Sequence, residues 1–190
     1  MKALVFLLSL VLANVANVAS AATRADTGGA FSLVDQDGAR VTEKTFLGRP
    51  VLLYFGYTTC PDVCPLDLAK IARVAKRVSA EAGVDVKPIF VTVDPERDTP
   101  AKLKPYVHFF GADFSGLTGT PAEIAKIGEE YHVYSRKVPT ADGTSYMVDH
   151  STVLFLLGAD GGYLDHYGRS LSIDEIVSRA VAKLAGAGSP

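Results

Sequence analysis

Cysteine is scarce in this chain, with only Cys60 and Cys64 among 190 residues. Any internal disulfide must join that pair, and a bridge closing so short a loop removes little entropy from the unfolded chain. Neither cysteine lies near residue 20, which excludes a lipid anchor attached behind a leader. Clustered positive charge is missing as well. The formal charge is -2, the pI is near 6.1 and no Lys/Arg run occurs, so there is no cationic field to attract nucleic acid. Internal repeats are absent. What remains is 20.1 kDa of chain with 48% hydrophobic residues, enough for one domain with a real core and too short for two.

The N-terminus reads as an export signal rather than part of that core. Lys2 gives a positive start, "ALVFLLSLVLA" (Ala3 to Ala13) an apolar run, and Ala19-Ser20-Ala21 a small-x-small cleavage site. Residues 1–21 are therefore expected to be a signal peptide. The alternative is an uncleaved anchor, which needs Asn14 and Asn17 to be tolerated and would leave the domain membrane-associated. Both place the domain outside the cytoplasm, in the periplasm or at the periplasmic face of the inner membrane, where a cysteine pair is open to oxidation. Residues 22–30 read as a flexible lead, 31–185 as the domain and 186–190 as a tail.

Within the domain, "FSLVDQDGARV" alternates around Asp37-Gly38, a hairpin signal. "PVLLYFGY" (Pro50 to Tyr57) and "VKPIFVTVD" (Val86 to Asp94) are continuous β-type runs, and Leu68, Ile71, Ala75 and Val78 recur between them at helical spacing. That is a βαβ unit with parallel strands. "TPAE" opens a further helix from Thr120 with a capping box, "STVLFLLGADGGYLDHYG" reads as a hairpin, and "SIDE" caps a last helix to about Leu184. The order predicts an α/β, thioredoxin-like fold carrying an N-terminal β-hairpin and an insertion. Pro105 resists this scheme. It falls at the sixth position of the helix that Thr99-Pro100 would start, where it should kink or delay it.

The cysteines sit in "TTCPDVCP", directly after the first buried strand. A helix opened by Pro61 would carry Pro65 in its interior at a cost of ~3 kcal/mol, so the helix is expected to start at Pro65 with Cys64 near its N-cap. Both sulfurs would then lie at the positive helix end, which favours thiolate. Three roles compete for the pair: a structural disulfide, a dithiol redox centre and a metal site. The three-residue spacing departs from the C-x-x-C of thioredoxin-type oxidoreductases. A metal site needs a further ligand. Of four histidines, His108, His132 and His166 read as ordinary surface or half-buried residues. His150, in "MVDHSTVLFLL", precedes a buried strand in the loop that a thioredoxin-like fold turns toward the cysteine-bearing helix, and Tyr146 to Leu157 lacks the proline that thioredoxins keep there. Its location favours a ligand role.

Together "YFGYTTCPDVCP", "VTVDPERDTP", "GLTGT" and "VDHSTVLFLLGADGGYLDHYG" resemble the Sco/SenC proteins, copper-binding assembly factors for cytochrome c oxidase, from about Phe31 to Ala185. The resemblance implies that Cys60, Cys64 and His150 ligate copper as Cu(I) and Cu(II). It also implies a metallochaperone, not an enzyme, that helps build the Cu(A) centre of oxidase subunit II and exchanges copper with another carrier. The alternative is a thiol-disulfide oxidoreductase that uses Cys60 and Cys64 to keep the Cu(A) cysteines reduced. Soft thiolates suit Cu(I), whereas Cu(II) calls for a fourth donor. Zinc competes less well, because a closed structural site wants four protein ligands. Asp62, Asp94 and Asp149 are expected to support the site rather than ligate, with Asp149 pointing away from it. Met147 is expected to pack in the core. "VDPERDTP" reads equally as loop chemistry, with Thr99 as N-cap before Pro100, and as a binding edge at a strand C-terminus where Arg97 could dock a partner.

Overall fold

The computed structural model describes residues 27–187, and the expected signal peptide and the last residues of the tail lie outside them. The elements run β1 (Ser32–Asp35), β2 (Arg40–Thr42), a short 3-10 turn (Glu43–Phe46), β3 (Val51–Gly56), α1 (Val63–Ala82), β4 (Lys87–Thr92), α2 (Pro100–Phe110), β5 (Ser115–Thr118), α3 (Pro121–Glu130), β6 (Ser135–Pro139), β7 (Tyr146–His150), β8 (Val153–Leu157), β9 (Tyr163–Gly168) and α4 (Ile173–Ala187). Seven strands form one sheet in the order β2-β1-β5-β4-β3-β8-β9, with β3, β4 and β5 parallel and the outer strands antiparallel. β6 and β7 form a separate two-stranded hairpin. The sequence left the place of the insertion open and read His150 as part of a loop, whereas His150 is the last residue of β7 in this hairpin.

Alternation along the buried strands divides the core in two. Leu52 and Tyr54 of β3 join Leu68, Ile71 and Val78 of α1, Leu103 and Val107 of α2 and Ile176 of α4 on one face. Val51, Leu53 and Phe55 join Leu33, Ile124, Ile127 and Tyr131 on the other, under α3 and the first hairpin. Helices on both faces explain why β3 is buried throughout instead of alternating apolar with polar.

The two prolines behave differently from expectation. α1 begins at Val63 with Asp62 as N-cap, two residues earlier than expected, so Cys64 lies inside the first turn and not at the cap. Pro65 is tolerated there because the N–H groups of the first turn have no intrahelical acceptor to lose. α2 begins at Pro100 and runs through Pro105 to Phe110 without a break. The hydrogen bond that Pro105 omits would have ended on the Ala101 carbonyl, and both residues lie on the exposed side, where water can take its place.

α3 starts as its sequence requires. Thr120 Oγ1 accepts from the Glu123 N–H at 3.2 Å, Glu123 Oε2 accepts from the Thr120 N–H at 2.7 Å, and Arg40 pairs with Glu123 at 2.7 Å. The Arg40 guanidinium and the Thr120 N–H hold the Glu123 carboxyl down at about 2, from an ordinary 4.5. Thr120→Ala is expected to lower stability by about 1 kcal/mol in urea melts at neutral pH. Because the Glu123 value is depressed, its contribution is complete above pH 4.5 and fades as pH falls toward 2. A Glu123→Gln variant whose melts follow the parent across that window would contradict this.

Candidate metal centre

Two arms converge beyond the C-terminal edge of β3. The first is the cysteine loop, which leaves β3 at Gly56 and turns into α1, with the Cys60 N–H donating to the Tyr57 carbonyl at 3.3 Å. Gly56 permits the close approach of helix and strand: a methyl group there would lie 3.0 Å from Cys64 Sγ and 2.8 Å from the Phe90 ring. The second arm is β7. Its alternation turns Tyr146, Val148 and His150 inward, and Val148 packs on Tyr57, Cys60 and Cys64. Asp149 faces out and pairs with Arg136 at 3.3 Å, as its place on an extended strand requires. Met147 also faces out and is exposed, so the expectation that it packs in the core is corrected by the same alternation.

The arms meet where Cys64 Sγ lies 3.4 Å from His150 Nε2, joining residues 86 positions apart. His150 Nδ1 stands 2.9 Å from the Ser151 carbonyl. A carbonyl only accepts, so Nδ1 carries the proton and Nε2 presents its lone pair to Cys64. The edges of Tyr54 and Tyr57 flank the imidazole at 6.4 and 5.8 Å between centroids. Below it Asp67, one turn along α1, accepts from Tyr54 OH at 2.8 Å and pairs with Arg169 at 3.0 Å.

Burial pushes the Cys64 thiol up and the His150 imidazole down, so both are neutral at pH 7 and their contact is a thiol donating to an imidazole. Burial also opposes ionisation of Cys60, but the backbone N–H groups of Asp62 and Cys64, the Cys64 thiol and the Val63 N–H together outweigh it and bring Cys60 below its ordinary value. The expectation that the helix end would acidify both thiols therefore holds for Cys60 alone. Cys64, one residue inside the helix, points into the core and loses more to desolvation than the helix end returns.

Among the described residues no three of His, Cys, Asp or Glu already stand together as a metal-holding group. The Cys64 to His150 separation nevertheless suits one ion, because donors bonded at about 2.0 to 2.3 Å lie roughly 3 to 4 Å apart. Cys60, which turns its sulfur to Cys64, would complete a set of two sulfurs and one nitrogen. Asp62 is exposed at the head of α1, and Asp94 is buried and paired with Arg97. His108 lies exposed on α2, His132 follows α3 in a left-handed conformation with φ of 53°, and His166 sits beside Tyr163 on β9.

The segment "VDPERDTP" turns out to brace the site. Asp98, fully buried, accepts from the Thr58 N–H at 2.9 Å, from the Thr58 hydroxyl and from Thr92 Oγ1 at 2.7 Å, tying the cysteine loop to the end of β4. Thr99 and Pro100 start α2 as expected. The acidic pair in a loop after a buried strand was the only sequence signal of this brace, and it fits ordinary turn chemistry equally well. In reduced, metal-free protein near pH 7, an alkylating reagent is expected to modify Cys60 before Cys64. Peptide mapping that finds Cys64 modified first would contradict the assigned difference between the thiols.

The SCO1/SenC family model matches residues 19–185. "Protein SCO1 homolog 1, mitochondrial" of Arabidopsis thaliana is 41% identical over 163 residues, 86% of this chain and 48% of that protein. The chain spans about half the length of the curated relatives it matches. The copper-bound crystal structure of Arabidopsis thaliana ScoI superposes with a TM-score of 0.81 at 41% identity, covering 84% of this chain and 98% of that one. BsSco, described as having a disulfide switch and as a member of the Sco family of cytochrome c oxidase assembly proteins, gives 0.64 at 27% identity over 83% of this chain and 92% of its own. These neighbours bear out the thioredoxin-like fold. The expected periplasmic location is corrected, since the Arabidopsis, bovine and human relatives are named mitochondrial, which points to mitochondria. A match that runs through the whole folded domain, cysteine loop and histidine arm included, leads to one conclusion: this chain belongs to the SCO1/SenC family.

Proposed function

We propose that this chain binds copper through Cys60 Sγ, Cys64 Sγ and His150 Nε2 and carries it, as cargo, to the Cu(A) centre of subunit II during assembly of cytochrome c oxidase. The observation that carries this reading is the 3.4 Å approach of Cys64 Sγ to a histidine nitrogen whose lone pair is freed by the Ser151 carbonyl. A relative 41% identical has been solved with copper bound, and BsSco is described as belonging to a family of oxidase assembly proteins. Two soft sulfurs and one imidazole suit Cu(I). Asp67 and Asp94 are engaged with arginine and tyrosine partners, which argues against either as the fourth donor for Cu(II). Copper displaces the thiol protons on binding, and Cys64, with its value pushed up, recovers its proton readily when the metal leaves. The imidazole stays neutral to below its usual range, so the nitrogen donor persists in mild acid.

A second reading draws on the acidified Cys60 and on the disulfide switch described for BsSco. Cys60 thiolate would attack a disulfide of the partner, and Cys64 would resolve the mixed disulfide. The partner would leave as a dithiol, with Cys60 and Cys64 joined. The same two sulfurs serve either role, but not both at once.

Cys60→Ser, Cys64→Ser and His150→Ala are each expected to weaken Cu(I) binding by at least about 100-fold in anaerobic competition titrations, with thermal melts retained. Copper affinity that survives His150→Ala would overturn the three-ligand site. Dithiol reductase activity that survives the same change, together with oxidase assembly, would favour the second reading. In the parent, apparent affinity is expected to rise with pH through neutrality as thiol protons are released, with no separate step near pH 6.5 from His150. The Cys60 to Cys64 disulfide is expected to bind far less copper than the dithiol, and equal stoichiometry in both states would place the site elsewhere.

A further inference from the structure

His150 lies at one end of β7, a strand that among the described residues pairs only with β6 and forms no ladder with the seven-stranded sheet. Its near end is fixed where the chain enters β8. Its far end, at Tyr146, is held from the loop after β4. Arg97 Nη1 donates to the Tyr146 carbonyl at 2.9 Å, and its guanidinium lies 3.8 Å from the centroid of the Tyr146 ring and 5.8 Å from that of Tyr57. Tyr146 OH donates to Asp94 Oδ1 at 2.8 Å, while Arg97 Nε binds the other oxygen of that carboxylate. Asp94 has no exposed surface, so these bonds replace its hydration and resist opening. One short loop therefore grips both arms: Asp98 holds the cysteine loop through Thr58, and Arg97 with Asp94 holds the histidine arm through Tyr146.

We propose that Arg97 is a positioning residue for the copper site, holding β7 at the depth that brings His150 Nε2 to the cysteine sulfurs. The inference rests on the Cys60, Cys64, His150 reading above. Arg97 acts through the histidine and touches no metal donor. Its planar fork serves a carboxylate, a carbonyl and two aromatic faces together, a combination that lysine cannot reproduce.

The test is a double-mutant cycle on the protein, reading Cu(I) affinity by chelator competition and the Cu(II) absorption and EPR spectra. Arg97→Gln and Arg97→Lys are each expected to weaken Cu(I) binding about 10-fold and to shift the Cu(II) spectra. In a His150→Ala background the same changes should alter affinity less than about 2-fold, because the arm they position has lost its ligand. Should Arg97→Gln not fold, Tyr146→Leu leaves the Asp94 to Arg97 pair and the Arg97 bond to the residue 146 carbonyl intact but removes the ring contact and the hydroxyl bond to Asp94, and is expected to give the same pattern at smaller size. An equal loss in both backgrounds, or no loss in the parent, overturns the proposal while the metal site stands. No effect of His150→Ala on affinity overturns the metal-site reading itself.

Discussion

The site depends on the burial of Asp98. A carboxylate removed from water costs several kcal/mol unless other donors replace its hydration. Here the donors are Thr92 on β4 and both the N–H and hydroxyl of Thr58 in the cysteine loop. The carboxylate is satisfied only when the loops after the two central strands lie together. That condition fixes the cysteine loop against the sheet edge, and Asp94 in the same loop extends the constraint to β7. The polar segment after β4 is thus the frame for two arms that meet through the Cys64 to His150 contact, the Tyr57 ring beside His150 and the packing of Val148 on the cysteine loop.

Within that frame, lying on either side of the start of α1 gives the two sulfurs different chemistry. Cys60, before α1, receives backbone N–H groups from Asp62, Val63 and Cys64. Cys64, inside α1, is packed against β3 at a glycine and stays neutral beside a neutral imidazole. An acidic sulfur beside a protonated one suits capture of a soft cation with release of protons, and it equally suits attack on a disulfide followed by resolution. Both roles require the reduced pair, because a bond between the sulfurs removes both thiolates at once.

The sequence by itself determined the architecture of the domain. Continuous apolar runs could only be strands covered on both faces, the helical spacing of Leu68, Ile71, Ala75 and Val78 fixed the crossover between them, and the capping signals at Thr120 and Ser172 marked helices that are present. It also singled out Cys60, Cys64 and His150, because a cysteine pair after a buried strand and a histidine before another can meet only at one edge of such a sheet. Tertiary structure decided the rest. The start of α1 at Val63 and the continuity of α2 through Pro105 depend on which backbone groups had partners to lose, and the outward turn of Met147 depends on the register of a hairpin whose place the sequence did not reveal. The unequal acidity of the thiols, the turn of His150 Nε2 toward Cys64 and the brace built by Asp94, Arg97 and Asp98 arise from burial and from contacts between distant segments. No local pattern encodes these, because desolvation and hydrogen bonding at a convergence point are set by everything packed around it.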